Sequence, residues 1–169
     1  MDKIGRIRLI LLLAALSAGL TIAGSTQKPD LTGTWILNLE KSRLQIGDKI
    51  ESGTFTIEHQ EPQFRFSRVF LAGGREDSTS YALTTDGKEK IENGPGRTTS
   101  SRLYWDGDVL VLDERIVLKD GRQATNVVRY SLQEGGRTLV AEEKFRGPIR
   151  KYDNHWVADR KSPSRGSSR

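Results

Sequence analysis

The sequence predicts an all-β fold, a single up-and-down antiparallel β-barrel of eight to ten strands. Apolar and polar residues alternate with a period of two, and Gly-containing turns interrupt this pattern about every ten residues. No segment after residue 25 holds a helical period near 3.6. The turns also set hairpin registers that place the apolar side chains on one common face. The agreement between the alternation and the turn positions is a stronger argument for this fold than the propensity of any single residue.

Residues 1–25 have the organisation of a secretory signal peptide. Three basic residues precede an uncharged run, Leu9–Gly24, which is shorter than the roughly 20 residues that a bilayer span needs. An uncleaved membrane anchor is the alternative interpretation. The chain has no Cys, so it offers no lipobox cysteine, disulfide or catalytic thiolate. We therefore expect a periplasmic or secreted protein, cleaved after Ala23 or Ser25.

The segment 26–158 is predicted to form one barrel domain of ten strands. Strand 88–92 is the weakest of them, because Ile91 is its one apolar residue. The longer connection 41–52 is interpreted as either a lid loop or a short helix. The predicted strands are 31–40, 53–60, 63–71, 76–85, 88–92, 97–105, 108–118, 122–133, 137–146 and 149–158.

Five turns fix the registers of the predicted hairpins, because turn length and type determine which residues lie opposite each other. Every one of these registers keeps the apolar residues on the inner face. The expected pairs are Phe66 with Tyr81 and Phe64 with Leu83 (turn Gly73-Gly74), Leu103 with Leu110 (Asp106-Gly107), Leu112 with Val128 and Leu110 with Tyr130 (Lys119 to Gly121), Tyr130 with Ala141 (Gly135-Gly136), and Glu143 with Tyr152 (Gly147-Pro148).

The net charge of +5 lies at the two ends of the chain. The first 25 residues carry three basic residues and one acidic residue, and 159–169 carry four and one. The barrel itself is therefore close to neutral, which argues against a basic nucleic-acid-binding face. Segment 159–169 is rich in Ser and Arg and is predicted to be a disordered basic tail.

The stretch 31–42 reads Leu-Thr-Gly-Thr-Trp-Ile-Leu-Asn-Leu-Glu-Lys-Ser and contains a Gly-x-Trp motif at Gly33 to Trp35. It resembles the opening strand of the calycin superfamily, meaning lipocalins and fatty-acid-binding proteins, and of bacterial secreted lipocalin-like proteins. The segments 84–89, 105–110 and 135–139 resemble later stretches of that last group. The resemblance implies a lipocalin-like or fatty-acid-binding-protein-like barrel.

The resemblance also implies that Trp35 closes one barrel end beneath an arginine near the last strand. A guanidinium over an indole face contributes about 0.5–2 kcal/mol. Arg160 is favoured over Arg150, because an antiparallel last strand meets residue 35 near its C-terminal end. The sequence lacks a second lipocalin motif, Thr-Asp-Tyr, and the C-terminal helix of lipocalins.

The first functional hypothesis is a non-catalytic barrel that binds a small hydrophobic or amphiphilic ligand. Arg68 would bind an acidic head group with its planar fork, and aromatic residues would hold the tail. In the alternative, Arg68 pairs with Glu114 or Glu143, or lies in water at the rim. The candidate ligand-binding residues are Arg68, Phe64, Phe66, Tyr81, Trp105, Tyr130 and Tyr152, and the structural ones are Gly33, Trp35 and Arg160.

The second hypothesis is a cavity-free structural or protein-interaction module of the cell envelope. Its contact patch would consist of the outer apolar residues Val69, Leu71, Val109 and Val111. An enzyme is not expected, because neither Gly-x-Ser-x-Gly nor His-Glu-x-x-His is present. Two His without Cys do not support a zinc site. We expect no cofactor and no metal, and we leave the oligomeric state open.

Overall fold

A computed structural model of the protein describes residues 27–45 and 49–162, and the predicted signal peptide and residues 163–169 lie outside them. The described residues form ten β-strands and confirm the predicted fold class. The strands are β1 Gly33–Leu37, β2 Ile50–Gln60, β3 Gln63–Ala72, β4 Arg75–Thr84, β5 Lys90–Gly94, β6 Arg97–Asp106, β7 Val109–Leu118, β8 Gln123–Gln133, β9 Thr138–Arg146 and β10 Lys151–Arg160.

The strands form one antiparallel sheet in which strands consecutive in sequence pair with each other, except β4 and β5, and β1 pairs with β10. The order runs from β4 through β3, β2 and β1 to β10 and back to β5. A fully closed barrel was expected, but β4 and β5 share no ladder. We call this gap the β4–β5 seam. It has a physical reason: β5 is short and exposed along its whole length, so little apolar surface holds it to a neighbour.

Three of the predicted turns have the expected register. The Gly73-Gly74 turn pairs Phe66 with Tyr81, the loop ending at Gly121 pairs Leu112 with Val128, and the turn at Gly135-Gly136 pairs Tyr130 with Ala141.

The other two predicted registers are wrong by two residues. The β6–β7 turn is formed by Gly107-Asp108, so Leu103 lies opposite Leu112. Gly107 (φ 61°) takes the first central position, as a type II′ turn requires. The β9–β10 connection is longer than a two-residue turn, so Tyr152 lies opposite Phe145 rather than Glu143. A shift of two keeps every side chain on its face, so the inner face is unchanged.

Several predicted boundaries also differ: β1 is shorter than predicted, with bounds Gly33–Leu37 instead of 31–40, and β5 is displaced by two residues to Lys90–Gly94. β2 begins at Ile50, three residues early, with an irregularity before Ser52. β10 continues to Arg160, beyond the predicted start of the tail. The described part of segment 41–52 contains no helix, and Arg43 instead forms a β-bridge with His155.

Candidate functional site

The bottom end of the barrel, where β1 begins and β10 ends, is closed by Trp35. Its side chain is fully buried, and its Nε1 donates a hydrogen bond to the Leu31 carbonyl at 3.1 Å. The Arg160 guanidinium lies 4.1 Å from the centre of the indole ring. Arg160 also donates to the carbonyls of Gly136 (2.9 Å) and Thr32. Arg160 is therefore the arginine that covers Trp35.

The geometry at this end explains why glycine precedes the tryptophan. Gly33 has φ 152°, a backbone conformation that side chains rarely adopt. A Cβ on it would lie 2.7 Å from Nη1 of Arg160. The Gly-x-Trp motif therefore gives Arg160 the room to lie over Trp35.

A second cluster at the bottom is centred on Glu61. Its Oε1 accepts from Trp105 Nε1 at 2.6 Å and lies 2.8 Å from His59 Nε2, and Thr85 Oγ1 donates to its Oε2. The ammonium of Lys28 lies 5.6 Å from the centre of the Trp105 ring. Trp105 therefore belongs to the closed end of the barrel, away from the other candidate ligand-binding residues.

The Glu61 cluster predicts a dependence of stability on pH. Burial raises the pKa of Glu61, but hydrogen bonds from Thr85, His59 and Trp105 outweigh it and bring the pKa below the usual 4.5. Since the folded-state pKa is the lower one, the stabilisation is present above the unfolded-state pKa and is lost as pH falls through the folded-state value. The Glu61 side chain is 43% exposed, so screening keeps the effect below about 1 kcal/mol.

We expect Glu61→Gln to unfold more easily than the parent at about pH 6 and to lose less stability between about pH 5 and about pH 3. Urea unfolding at each pH measures this. Glu76→Gln, on the exposed part of β4, is the control and should keep the parental slope. A slope for Glu61→Gln equal to that of the parent would contradict the assignment.

The middle of the barrel is filled by side chains that we call the aromatic tier. The Tyr81 and Tyr130 hydroxyls meet at 3.2 Å across the interior, joining two strands that are not neighbours in the sheet. Phe66 stacks on Tyr81 with ring centres 5.0 Å apart. The aromatic tier consists of Phe55, Phe64, Phe66, Tyr81, Tyr130 and Trp156.

The aromatic tier leaves little empty space. The enclosed void beside it has a volume of about 10 Å³, which is roughly the room that one water needs. It is bordered by Phe55, Phe66, Tyr130, Leu139, Ala141, Trp156 and Ala158. The sequence left open whether the barrel interior is a cavity or is packed, and in this conformation the described residues leave no open space for a hydrophobic tail beside the aromatic tier.

Above the aromatic tier the inner face becomes polar, and we call this level the polar tier. Its members follow from the two-residue alternation, since they occupy inward positions of β3 and β6–β10. The polar tier consists of Arg68, Ser101, Glu114, Asn126, Glu143 and Asn154.

Neutral donors hold Glu114. Its Oε1 accepts from Ser101 Oγ at 3.2 Å, and its Oε2 accepts from Asn126 Nδ2 at 3.0 Å. Among the described residues, Asn126 Oδ1 is the one buried side-chain oxygen or nitrogen that has no hydrogen-bond partner. A buried acceptor without a partner costs about 1–3 kcal/mol, which makes this oxygen a marked feature of the interior.

Neutral donors also hold Glu143. Its Oε2 accepts from Asn154 Nδ2 and from Trp156 Nε1, both at 2.9 Å. Asn154 Oδ1 in turn accepts from the backbone N–H of Gln45 at 2.7 Å, which ties the connection after β1 to the top of β10. Trp156 thus joins the aromatic and polar tiers.

The polar tier acts electrostatically on the two tyrosines below it. Burial raises the pKa of Tyr81 well above its usual 10.0, with smaller contributions from Tyr130, Glu114 and Glu143. Burial also raises the pKa of Tyr130, and the two glutamates add to this effect. Both hydroxyls are therefore neutral at physiological pH.

Arg68 pairs with neither of the two glutamates predicted as its alternative partners. Its Nη1 donates to Oδ2 of Asp77 at 2.8 Å, and its guanidinium lies 4.5 Å from the centre of the Phe70 ring. Asp77 takes the next inward position on β4 beyond Thr79, which lies opposite Arg68. The hairpin register that the Gly73-Gly74 turn predicts makes Asp77 a diagonal neighbour of Arg68 on the same face, so the sequence did contain a signal for this pairing.

The candidate ligand-binding residues occupy four places, since Trp105 lies at the Glu61 cluster and Arg68 lies beside Asp77. Phe64, Phe66, Tyr81 and Tyr130 lie together, with ring centres 5.0–6.4 Å apart. Tyr152 lies above them near the top rim, stacked on Phe145, where burial raises its pKa to about 12.

The outer face does not form the predicted four-residue contact patch. Val69 and Leu71 are 42% and 37% exposed, but Val109 is half-buried and Val111 is 1% exposed. An open groove of about 390 Å³ runs over the outside of β2–β4. Its lining is mixed, with the charged residues Glu58 and Arg65 beside Phe66, Tyr81 and Ala82.

Within 27–45 and 49–162, no three His, Asp or Glu side chains are grouped closely enough to hold a metal ion. The same part of the chain has no helix of the length and apolarity that crossing a membrane requires.

The sequence matches no protein-family model, and no curated protein is significantly similar to it. Solved structures do share its fold. Secretory abundant heat soluble protein 4 from Ramazzottius varieornatus has a TM-score of 0.52 at 13% identity, covering 82% of this chain and 100% of that one.

Two further structures are similar in fold. A point mutant of the REP1-NXSQ fatty acid transporter has a TM-score of 0.50 at 16% identity, covering 78% of this chain and 98% of its own. Apo lipid binding protein 8 of Caenorhabditis elegans has a TM-score of 0.50 at 10% identity, covering 78% and 95%. The likeness is one of fold: a ten-stranded, nearly closed, up-and-down barrel of the fatty-acid-binding-protein type.

Proposed function

We propose that the protein binds a small hydrophobic or amphiphilic molecule inside the barrel and does not catalyse a reaction. The polar tier carries this proposal. A barrel packed only for stability would be expected to have apolar side chains there, whereas this one has two inward carboxylates and a buried, unpartnered oxygen of Asn126. The fold neighbours described as a fatty acid transporter and a lipid binding protein support the same class of ligand.

In this proposal the head group contacts the polar tier and the tail enters the aromatic tier. Entry requires the Tyr81–Tyr130 hydrogen bond to open, because the void beneath it is about 10 Å³. The β4–β5 seam supports such a movement. Tyr81 lies on β4, an edge strand with a backbone ladder on one side only, so its wall is less restrained than the strands inside the sheet.

We further propose that the chain is exported, as a relative of the bacterial secreted lipocalin-like proteins. The support is the charge and hydropathy pattern of residues 1–25. Mass spectrometry of the protein from the periplasm or medium should find a new N-terminus after Ala23 or Ser25. Recovery of the uncleaved chain with the membrane fraction would contradict it.

A titration with dodecanol, a neutral amphiphile, tests ligand binding. We expect saturable one-to-one binding by calorimetry and a change in tryptophan fluorescence, because Trp156 borders the void. In Trp156→Phe the fluorescence change should be lost while the heat of binding persists. Trp105→Phe is the control: it removes the indole at the closed end and should keep the fluorescence change.

The second candidate function is a packed structural or protein-interaction module. The small size of the void favours it, as does the exposure of Val69 and Leu71. Absence of binding by neutral, anionic and cationic amphiphiles alike would reject the ligand proposal in favour of this one.

A further inference from the structure

Among the described residues, neither carboxylate of the polar tier forms an ion pair with a basic side chain. Glu114 lies opposite Asn126 on β8, and Glu143 lies opposite Val128 on the same strand, so β8 separates them by one strand on the inner face. Within the described residues their hydrogen-bond donors are all neutral: two amides, a hydroxyl and an indole. Neutral donors solvate a carboxylate without balancing its charge.

The nearby arginine does not balance that charge either. Arg68 is paired with Asp77 at 2.8 Å, so together with the two glutamates this level holds three carboxylates and one guanidinium. Arg97 and Arg150 lie near the top rim, where both are exposed to water. The interior level between the rim and the aromatic tier is therefore negative, which disfavours the carboxylate of a fatty acid.

The unpartnered oxygen of Asn126 is a second, separate observation. The orientation of this amide is fixed by Glu114: turning it over would place Oδ1 against an ionised carboxylate oxygen instead of Nδ2 at 3.0 Å. Oδ1 therefore stays a buried acceptor that lacks a donor. A ligand that donates a hydrogen bond would satisfy it.

The aromatic tier directly below suits the same ligand. The faces of aromatic rings attract cations, and Trp156 donates its Nε1 to Glu143, so an indole and a carboxylate are adjacent. An ammonium group held beside Trp156 would meet the Glu143 carboxylate and the aromatic side chains, with Glu114 and the free oxygen of Asn126 on the adjacent strands β7 and β8.

We propose that the polar tier recognises a positively charged, hydrogen-bond-donating head group, so the ligand is a cationic amphiphile such as a long-chain primary amine. This inference rests on the proposed function and names the ligand class for the same site. Glu114 and Glu143 bind the ammonium, Asn126 accepts one of its hydrogen bonds, and the aliphatic tail enters the aromatic tier.

The test compares three twelve-carbon probes by calorimetry at pH 7 and low salt, below their micelle concentrations: dodecylamine (charged at this pH), dodecanol and dodecanoate. We expect dodecylamine to bind at least about tenfold more tightly than dodecanoate. We also expect this preference to shrink at high salt, because the interaction is between charges. This comparison uses the parent protein and needs no variant.

Variants of the two glutamates test whether the preference for dodecylamine depends on the polar tier. Glu143→Gln and Glu114→Gln should each weaken dodecylamine binding by about fivefold or more and leave dodecanol binding unchanged. Glu142→Gln is the matched control, because Glu142 precedes Glu143 on β9 but faces outward and is exposed. Circular dichroism melting shows that each variant is folded before it is compared.

The outcomes separate the two proposals. If dodecanoate binds as tightly as dodecylamine, the proposed preference for a cationic ligand is wrong, although the protein still binds a ligand. The same conclusion follows if the glutamate variants lose as much affinity for dodecanol as for dodecylamine. Failure of all three probes to bind would overturn the proposed function itself.

Discussion

Trp35→Ala should lower the free energy of unfolding by about 3–5 kcal/mol, the usual cost of truncating a large buried aromatic side chain. Trp35 is fully buried, donates to the Leu31 carbonyl and lies under the Arg160 guanidinium. Its removal leaves a cavity at the closed end and an arginine without its aromatic partner. Since domains of this size are stable by only about 5–15 kcal/mol, the variant should lose a large part of its stability.

Urea unfolding followed by circular dichroism measures this loss without relying on the tryptophan signal. Ile91→Ala is the control, because Ile91 is 60% exposed on β5 and its truncation should change stability by less than about 0.5 kcal/mol. A loss for Trp35→Ala within that same small range would show that the indole does not hold the end of the barrel together.

Gly33→Ala is expected to have the next largest effect. The backbone at φ 152° strains any residue with a Cβ, at a cost of about 1–3 kcal/mol. The added methyl also meets Nη1 of Arg160 at 2.7 Å. Arg160 cannot yield without leaving the Trp35 ring and the carbonyl of Gly136. Both effects act in the same direction, so we expect a clear decrease in the urea midpoint.

A double-mutant cycle separates the two effects. In an Arg160→Ala background the clash is absent, so Gly33→Ala should cost less than it does in the parent. Gly96→Ala is the control for strain alone, because Gly96 has φ 94° and open space around it. Equal costs of Gly33→Ala in both backgrounds would show that the contact with Arg160 is unimportant.

The fold was predictable because the alternation within each strand and the turns between strands indicate the same inner face. Even the two wrong registers kept that face, since a shift of two residues leaves the pleat unchanged. Pattern alone does not decide where a turn begins: Asp106-Gly107 and Gly107-Asp108 both suit a hairpin, and the preference of a II′ turn for Gly in its first central position selects the second. The β4–β5 seam depends on the curvature of the whole sheet, which local patterning does not contain.

The candidate site was predictable in part. Alternation places Glu114, Asn126 and Glu143 inside the barrel, and their inward positions follow from the sequence alone. Which groups meet depends on side-chain length and on distances across the barrel. The Tyr81–Tyr130 contact joins strands that are not neighbours, and the pairing of Arg68 with Asp77 is diagonal across two strands. The Tyr81–Tyr130 contact leaves no signature in local spacing, whereas the Arg68–Asp77 pair follows from the predicted hairpin register.

The pairing of β1 with β10 has a consequence for synthesis. The ladder joins Trp35 to Arg160, so the two ends of the domain must meet before the barrel exists. A nascent chain that extends only to β9 has two separate sets of strands, β1–β4 and β5–β9, because β10 is the strand that joins them. Such a chain would present four open sheet edges and an unfilled aromatic interior, and open edges favour aggregation. The barrel is therefore completed only after β10 has emerged, and until then we expect the chain to remain accessible to chaperones.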